Sequence, residues 1–263
     1  MKRLLLIGLD ETEITEIKRQ VTDPIVAHEM IPRVKLLNGT FYVERPNWFN
    51  TFMPVSHVVF HGIFEVEKDF PLISALALWG GPCLPNARGM MDCRLRLPCL
   101  IRALSITRFG SMRRGFADRY TVMSSEEFLV AKWGNWHCGD DKLKFTGDHE
   151  SQLPTLFEPF IAGEAVRVVL IGDQQWQIRM SGDDWLQSIH HQDAALMPLD
   201  NELLEDTLRL RDHFGLEVMA VDYMLGEDGQ KHLLEVNHIP NVTRFPEIRN
   251  AYLTYVSAWF NHG

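Results

Sequence analysis

The sequence predicts a mixed α/β (α+β) chain, and three observations carry that prediction. An apolar run, KRLLLIGL, leads directly into a polar amphipathic stretch, ETEITEIKRQ, the pattern of a βα unit. From about residue 156, TLFEPFI, AVRVVLIG and QQWQIRM follow one another as β-like runs. Then a one-sided helical stretch, NELLEDTLRLRDHFG, precedes two further β-like runs joined by GEDG, a hairpin signal.

Taken in order, the elements fall into three parts. Residues 1–85 hold the first βα unit, the β-like VSHVVFHGIF and a helical DFPLISALALW, a small βα layer ending near Pro85. Residues 86–155 begin with an arginine-rich helical segment containing MMDCRLRL, which Pro98 interrupts by removing an amide donor. In the same part, FADRYTVMSSEEFLVAKWGNWHCGDDKLKF reads as short strands around a glycine-containing loop. Residues 156–263 contain the strand series, a helix with Leu203, Leu204, Leu208 and Leu210 on one side and Gly215 closing it, and the terminal hairpin.

Composition bounds the function. With 263 residues, 46% of them hydrophobic, the chain can bury a real core. The N-terminal apolar run breaks at Asp10, too short for a signal peptide or a membrane span, so a cytoplasmic protein is expected. A net charge of -9 argues against a nucleic-acid or anionic-membrane surface, although basic residues gather between Arg88 and Arg119 in a way that suits a phosphate-rich small ligand. Cys83, Cys93, Cys99 and Cys138 form no CxxC pair and read as reduced thiols rather than, with His137, a zinc site.

The C-terminal hairpin carries the first chemical signal. If Gly226 to Gly229 form its loop, Leu225 faces Gln230, Asp222 faces Leu233 and Ala220 faces Glu235. Asp222, Glu235 and Asn237 then share one face with Ala220, Met224 and Leu233, the two carboxylates being diagonal neighbours roughly 7–8 Å apart. Such hard oxygen donors suit magnesium, which takes its remaining ligands from water and phosphate. The same face also fits the solvated side of an amphipathic hairpin. Lys132, at the end of FLVAK and just before a loop bearing Gly134 and Gly139, is placed either to direct its ammonium at phosphates or to stand exposed at a strand end.

In this order along the chain, these motifs resemble the ATP-grasp proteins. DYMLGEDGQKHLLEVNHIPNVT resembles their metal motif, with Asp222, Glu235 and Asn237 at the three magnesium-ligand positions. LFEPFI resembles the hinge that grips adenine through backbone groups around Glu158, Phe160 and Ile161, and GEAVRVVLIG resembles the next strand, with Glu164 at the ribose hydroxyls. AKWGNWHCGDDKLKF is similar to the phosphate lysine, here Lys132, and flexible loop of the glutathione-synthetase and RimK-like branch in its synapsin form. QIRMSGDDW places Arg179 near the transferred phosphate. Where the family often has an Asp-Lys pair, this chain reads Asp92-Cys93-Arg94, so Arg94 takes the place of the nucleotide lysine, with Arg88 and Arg96 as alternatives. WLQSIHHQD departs from the RimK-like asparagine pattern and leaves His190 and His191 as loop residues. Arg244 and Arg249 fit either a substrate carboxylate or solvated helix charges.

The resemblance spans about residues 86–240 and makes residues 1–85, by position, a Rossmann-like pre-ATP-grasp domain. It implies ATP and Mg2+, and a ligase that passes the γ-phosphoryl group to a small-molecule or peptide carboxylate so that an amine can displace phosphate. Lys132 and Arg179 are the catalytic cations in that reading. It also leaves open a synapsin-like ATP-binding regulatory protein and a small-molecule kinase, and homodimers are common in the family. Nucleic acid and membrane are not expected partners.

Overall fold

The computed structural model describes residues 2–135, 141–240 and 244–263. His137, Cys138 and Gly139 of the predicted loop lie outside the described residues.

The N-terminal part is built on a parallel sheet. Strand β1 (Leu4–Ile7) is entirely buried and runs into helix α1 (Glu11–Gln20). Asp10 caps that helix: its carboxylate accepts from the Glu13 amide at 2.8 Å, and the Glu13 carboxylate accepts from the Asp10 amide at 2.9 Å, a reciprocal capping box. The chain returns through β2 (Ile25–His28), makes a three-stranded meander of β3 (Val34–Leu37), β4 (Thr40–Glu44) and β5 (Phe52–Val55), and re-enters as β6 (His57–Phe60). Helix α2 (Val66–Trp79) and the short β7 (Cys83–Leu84) complete a sheet of order β2-β1-β6-β7. The segment from residue 21 to 55 carries no element in the sequence reading; its strands are only four or five residues long, although β3 and β4 alternate and β4 buries Phe41 and Val43 completely.

The ends of β1 and β6 pack with almost no gap. A Cβ added to Gly8, whose φ is +81, would stand 1.7 Å from the His61 carbonyl oxygen, so only glycine fits. His61 is buried beside the Tyr252 ring, 4.8 Å between centroids, and burial pushes its pKa down to about 4, with Asp10 opposing the shift. The unfolded chain therefore binds a proton on this imidazole from about pH 6.5 downward, whereas the folded chain does so only near pH 4. Its contribution is full above pH 6.5 and is lost as pH falls toward 4, about 3 kcal/mol in all. Urea unfolding at pH 7 and pH 4.5 should register that loss in the native chain, and His61→Gln should flatten it; an equal pH dependence in both would remove His61 as its source.

The arginine-rich stretch forms two helices, α3 (Ala87–Cys93) and α4 (Arg96–Leu104). The break falls at Arg94 and Leu95, ahead of Pro98, which sits in the first turn of α4 where its missing amide costs nothing. Strands β8 (Gly115–Ala117), β9 (Thr121–Trp133), β10 (Lys142–Ser151) and β11 (Thr155–Pro159) form a sheet of order β10-β9-β11-β8. The hinge strand β11 thus bonds into this middle sheet, so the change from one sheet to the next falls just after Pro159 rather than at residue 156.

The C-terminal sheet has order β14-β13-β12-β15-β16, from β12 (Gly163–Ile171), β13 (Gln174–Arg179), β14 (Ala195–Met197), β15 (Val218–Gly226) and β16 (Lys231–Asn237). Helix α5 (Asn201–Phe214) is capped by Asp200 at its start and by Gly215, with φ 63, at its end. Leu203 and Leu210 are fully buried, while Leu204 and Leu208 are partly buried against the same core. Helix α6 (Pro246–His262) runs back to α1, where Arg249 meets Glu16 at 3.1 Å. Among the described residues, no helix is long and apolar enough to cross a membrane.

Candidate active site

A cleft of about 840 Å³ opens between the middle and C-terminal sheets. Strand alternation decides what lines it. On the middle sheet, Lys132 and Lys142 are register partners, and Glu158 is the partner of Val130; all four line the cleft. On the C-terminal sheet, Arg167 of β12 is opposite Asp222 of β15, which is opposite Glu235 of β16. Hinge residues Pro159, Phe160 and Ile161 form one end, and Met180 and the stretch from Trp185 to His190 close the side.

The hairpin register differs from the sequence expectation. Leu225 pairs with Lys231 and Tyr223 with Leu233, and a bulge at Leu234 shifts the ladder once more so that Asp222 pairs with Glu235 and Ala220 with Asn237. The carboxylates are therefore directly opposed rather than diagonal, and Leu233 turns to the fully buried core face while Leu234 lines the cleft. Asn237 donates from Nδ2 to Asp222 Oδ2 at 3.2 Å, so its carbonyl oxygen is not the atom that meets Asp222. Two carboxylates and an amide on one wall are a hard-oxygen set that fits magnesium. Among the described residues no three His, Cys, Asp or Glu side chains cluster as a metal site, the third donor here being the amide.

Asp222 is also gripped by Arg167, with Nε to Oδ1 at 2.6 Å and Nη2 to Oδ2 at 2.8 Å, both residues being about one-tenth exposed. Arg167 escaped the sequence reading. Its signal was present all the same: a single charge in the apolar run AVRVVLIG, on a strand that pairs with DYML. Burial works to lower the Arg167 pKa, but the Asp222 carboxylate outweighs it and keeps the guanidinium charged.

Glu158 is the electrostatic centre of the opposite wall. It accepts from Arg114 Nε at 2.6 Å and pairs with Lys132. Burial works to raise its pKa, yet the charges and hydrogen bonds of Lys132 and Arg114 prevail and hold the carboxyl below the usual carboxylate range. Arg114 also donates to the Leu233 carbonyl at 2.6 Å, tying the middle sheet to the metal-candidate hairpin. The Phe160 amide, expected among the hinge's backbone contacts, donates to the Phe128 carbonyl at 2.9 Å and is spent within the protein.

Three expected site residues lie elsewhere. Arg94 is 1% exposed, and its donors go to both Asp69 oxygens at 2.8 Å, the Asn135 carbonyl at 2.9 Å and the Phe64 carbonyl at 2.8 Å. It is a clamp between α2, the α3–α4 break and the end of β9, not a cleft cation. Glu164 and Arg179 fail for a reason of parity. Arg179 is the register partner of Val166, one step out of phase with Arg167, and Glu164 likewise shares the face of Val166; both point away from the cleft and meet each other at 3.9 Å. Of the alternatives to Arg94, Arg88 is exposed, while Arg96 is buried and donates to the Trp133 carbonyl at 2.6 Å. Arg244 donates to the Ile189 carbonyl at 2.7 Å, and His190 lines the cleft beside Arg167 and Arg244 with its pKa lowered, first by burial and then by those charges.

No family model and no curated protein sequence matches the chain. Solved structures do match along its whole length. The macrocyclase MdnC of Microcystis aeruginosa MRC, bound with its precursor peptide MdnA, aligns over 99% of this chain and 100% of its own with a TM-score of 0.66 at 13% identity. The ATP-grasp ligase PsnB, complexed with a minimal precursor, Mg and ADP, aligns over 98% and 97% with a TM-score of 0.64 at 13% identity. D-alanyl-alanine synthetase A of Vibrio cholerae O1 aligns over 99% and 98% with a TM-score of 0.65 at 14% identity. The order of the sheets, the cleft between the last two of them and these full-length matches agree: the chain has the ATP-grasp fold.

Proposed function

We propose that this chain is an ATP-dependent carboxylate-amine ligase. The observation that supports it is one cleft with a hard-oxygen wall, Asp222, Glu235 and Asn237, facing two lysines, Lys132 and Lys142, beside an apolar hinge at Phe160 and Ile161. That arrangement suits a nucleotide whose base lies at the hinge and whose phosphates lie between the lysines and the carboxylates. Structural neighbours that bind Mg, ADP and precursor peptides add weight to ATP, Mg2+ and a peptide carboxylate as substrates.

In this reading a substrate carboxylate oxygen attacks the γ-phosphorus and ADP leaves, giving an acyl phosphate. An amine nitrogen then attacks the acyl carbon, phosphate departs with the bonding pair, and the amine loses a proton as the amide forms. Magnesium, held by Asp222, Glu235 and Asn237, would neutralise phosphate charge. Lys132 is fixed by Glu158 and orients the phosphates; Arg167, fixed by Asp222, supplies the second cation that the sequence reading gave to Arg179. No protein nucleophile is required. The reading takes the glutathione-synthetase and RimK-like branch, a cytoplasmic setting and an assembly of one or two chains.

The test is ADP and phosphate release from Mg-ATP by the purified protein with pooled amino acids, short peptides and small carboxylates. Release should depend on the pool and fall at least tenfold in Glu235→Gln, with weaker magnesium-dependent ATP binding. Release that ignores Glu235 would remove the hairpin from the site, and phosphate retained on the acceptor instead of released would make the protein a kinase.

A further inference from the structure

The phosphate end of the cleft lacks the cation expected from Arg94, because that guanidinium is consumed by Asp69, Asn135 and Phe64. Lys142 opens β10 directly across from Lys132, so the two lysines stand side by side on the same face of the middle sheet, their Cβ atoms about 5 Å apart. Both line the cleft. Two ammonium groups this close repel unless something negative lies between or over them.

The two lysines differ in what they face. Lys132 pairs with Glu158, on the strand that leads into the hinge. Lys142 shares the cleft with Asp222 and Glu235 of the hairpin; burial lowers its pKa first, Lys132 and Arg96 act the same way, and the Glu235 and Asp222 carboxylates oppose the shift. Lys132 is therefore tied to the hinge end, and Lys142 to the carboxylate end.

We propose that Lys142 is the second phosphate-binding cation of this protein, and that it holds the phosphates beyond the one next to the ribose, so that it separates ATP from AMP. The assignment rests on the ligase reading above. It gives β10 a role in nucleotide choice and replaces a cation on the helical segment before the middle sheet with one on the strand beside Lys132. Lys132, nearer the hinge, should act on every adenine nucleotide alike.

Isothermal calorimetry with Mg-ATP and with AMP tests the split. In Lys142→Met the ATP dissociation constant should rise at least tenfold while that of AMP stays within twofold, and Lys142→Arg should recover part of the loss. Lys132→Ala should weaken both nucleotides by similar factors. Unfolding curves for each variant confirm that the folded protein is being measured. If Lys142→Met leaves ATP unchanged, or weakens AMP as much as ATP, the assignment is wrong while the ligase reading stands. A native chain that binds neither nucleotide removes both.

Discussion

Arg94→Met should destabilise the protein by about 3–5 kcal/mol, because it leaves a buried carboxylate without its counter-ion. Asp69 is fully buried, and apart from Arg94 the described contacts give it the Phe64 amide at 3.1 Å. The same substitution also frees the Asn135 and Phe64 carbonyls, both of which lose a donor. Denaturant unfolding measures the loss, and the double variant Asp69→Leu with Arg94→Met should recover more than half of it, since an apolar pair avoids the stranded charge. Nucleotide affinity of the folded protein should be unchanged. A loss under about 1 kcal/mol, or a tenfold drop in ATP affinity at native stability, would return Arg94 to the cleft.

Arg167→Lys should lower ADP release by about 10²–10³-fold, the usual cost of one preorganised donor at a charged transition state. The lysine keeps the charge, so Asp222 is not stranded and the fold should hold, with melting within a few degrees of the native chain. What it loses is the two-pronged grip on Oδ1 and Oδ2 and the fixed direction of the remaining donors. Turnover within threefold of the native chain would mean that Arg167 only holds Asp222. Arg179→Lys serves as the contrast: it lies half-exposed on the other face of the sheet, and turnover should not change.

How much of this was legible in the sequence follows from the range of the forces involved. The capping box at Asp10 and Glu13, the closure of α5 at Gly215 and the hairpin around GEDG are local, set by side chains within a few residues of the backbone groups they satisfy. The grouping of Asp222, Glu235 and Asn237 on one wall was legible too, since it needs only two strands and a turn. Its detail was not. A one-residue shift at the turn pairs Leu233 with Tyr223 and sends it into the core, and the bulge at Leu234 then brings Glu235 directly opposite Asp222.

By itself, then, the sequence determined the mixed α/β class, the ATP-grasp resemblance, and the sharing of one hairpin face by Asp222, Glu235 and Asn237. Those follow from local patterning and from motifs whose parts lie close along the chain. Only the tertiary structure decided which charges face one another. Arg94 finds Asp69 across 25 residues of chain, Arg167 finds Asp222 across 55, and Lys142 lines one cleft with Asp222 and Glu235 far along the chain. Burying a charge is costly without a partner, and partners are chosen by strand parity and packing rather than by proximity in sequence. That is why two arginines in equally plausible sequence positions, Arg167 and Arg179, end on opposite faces of one sheet.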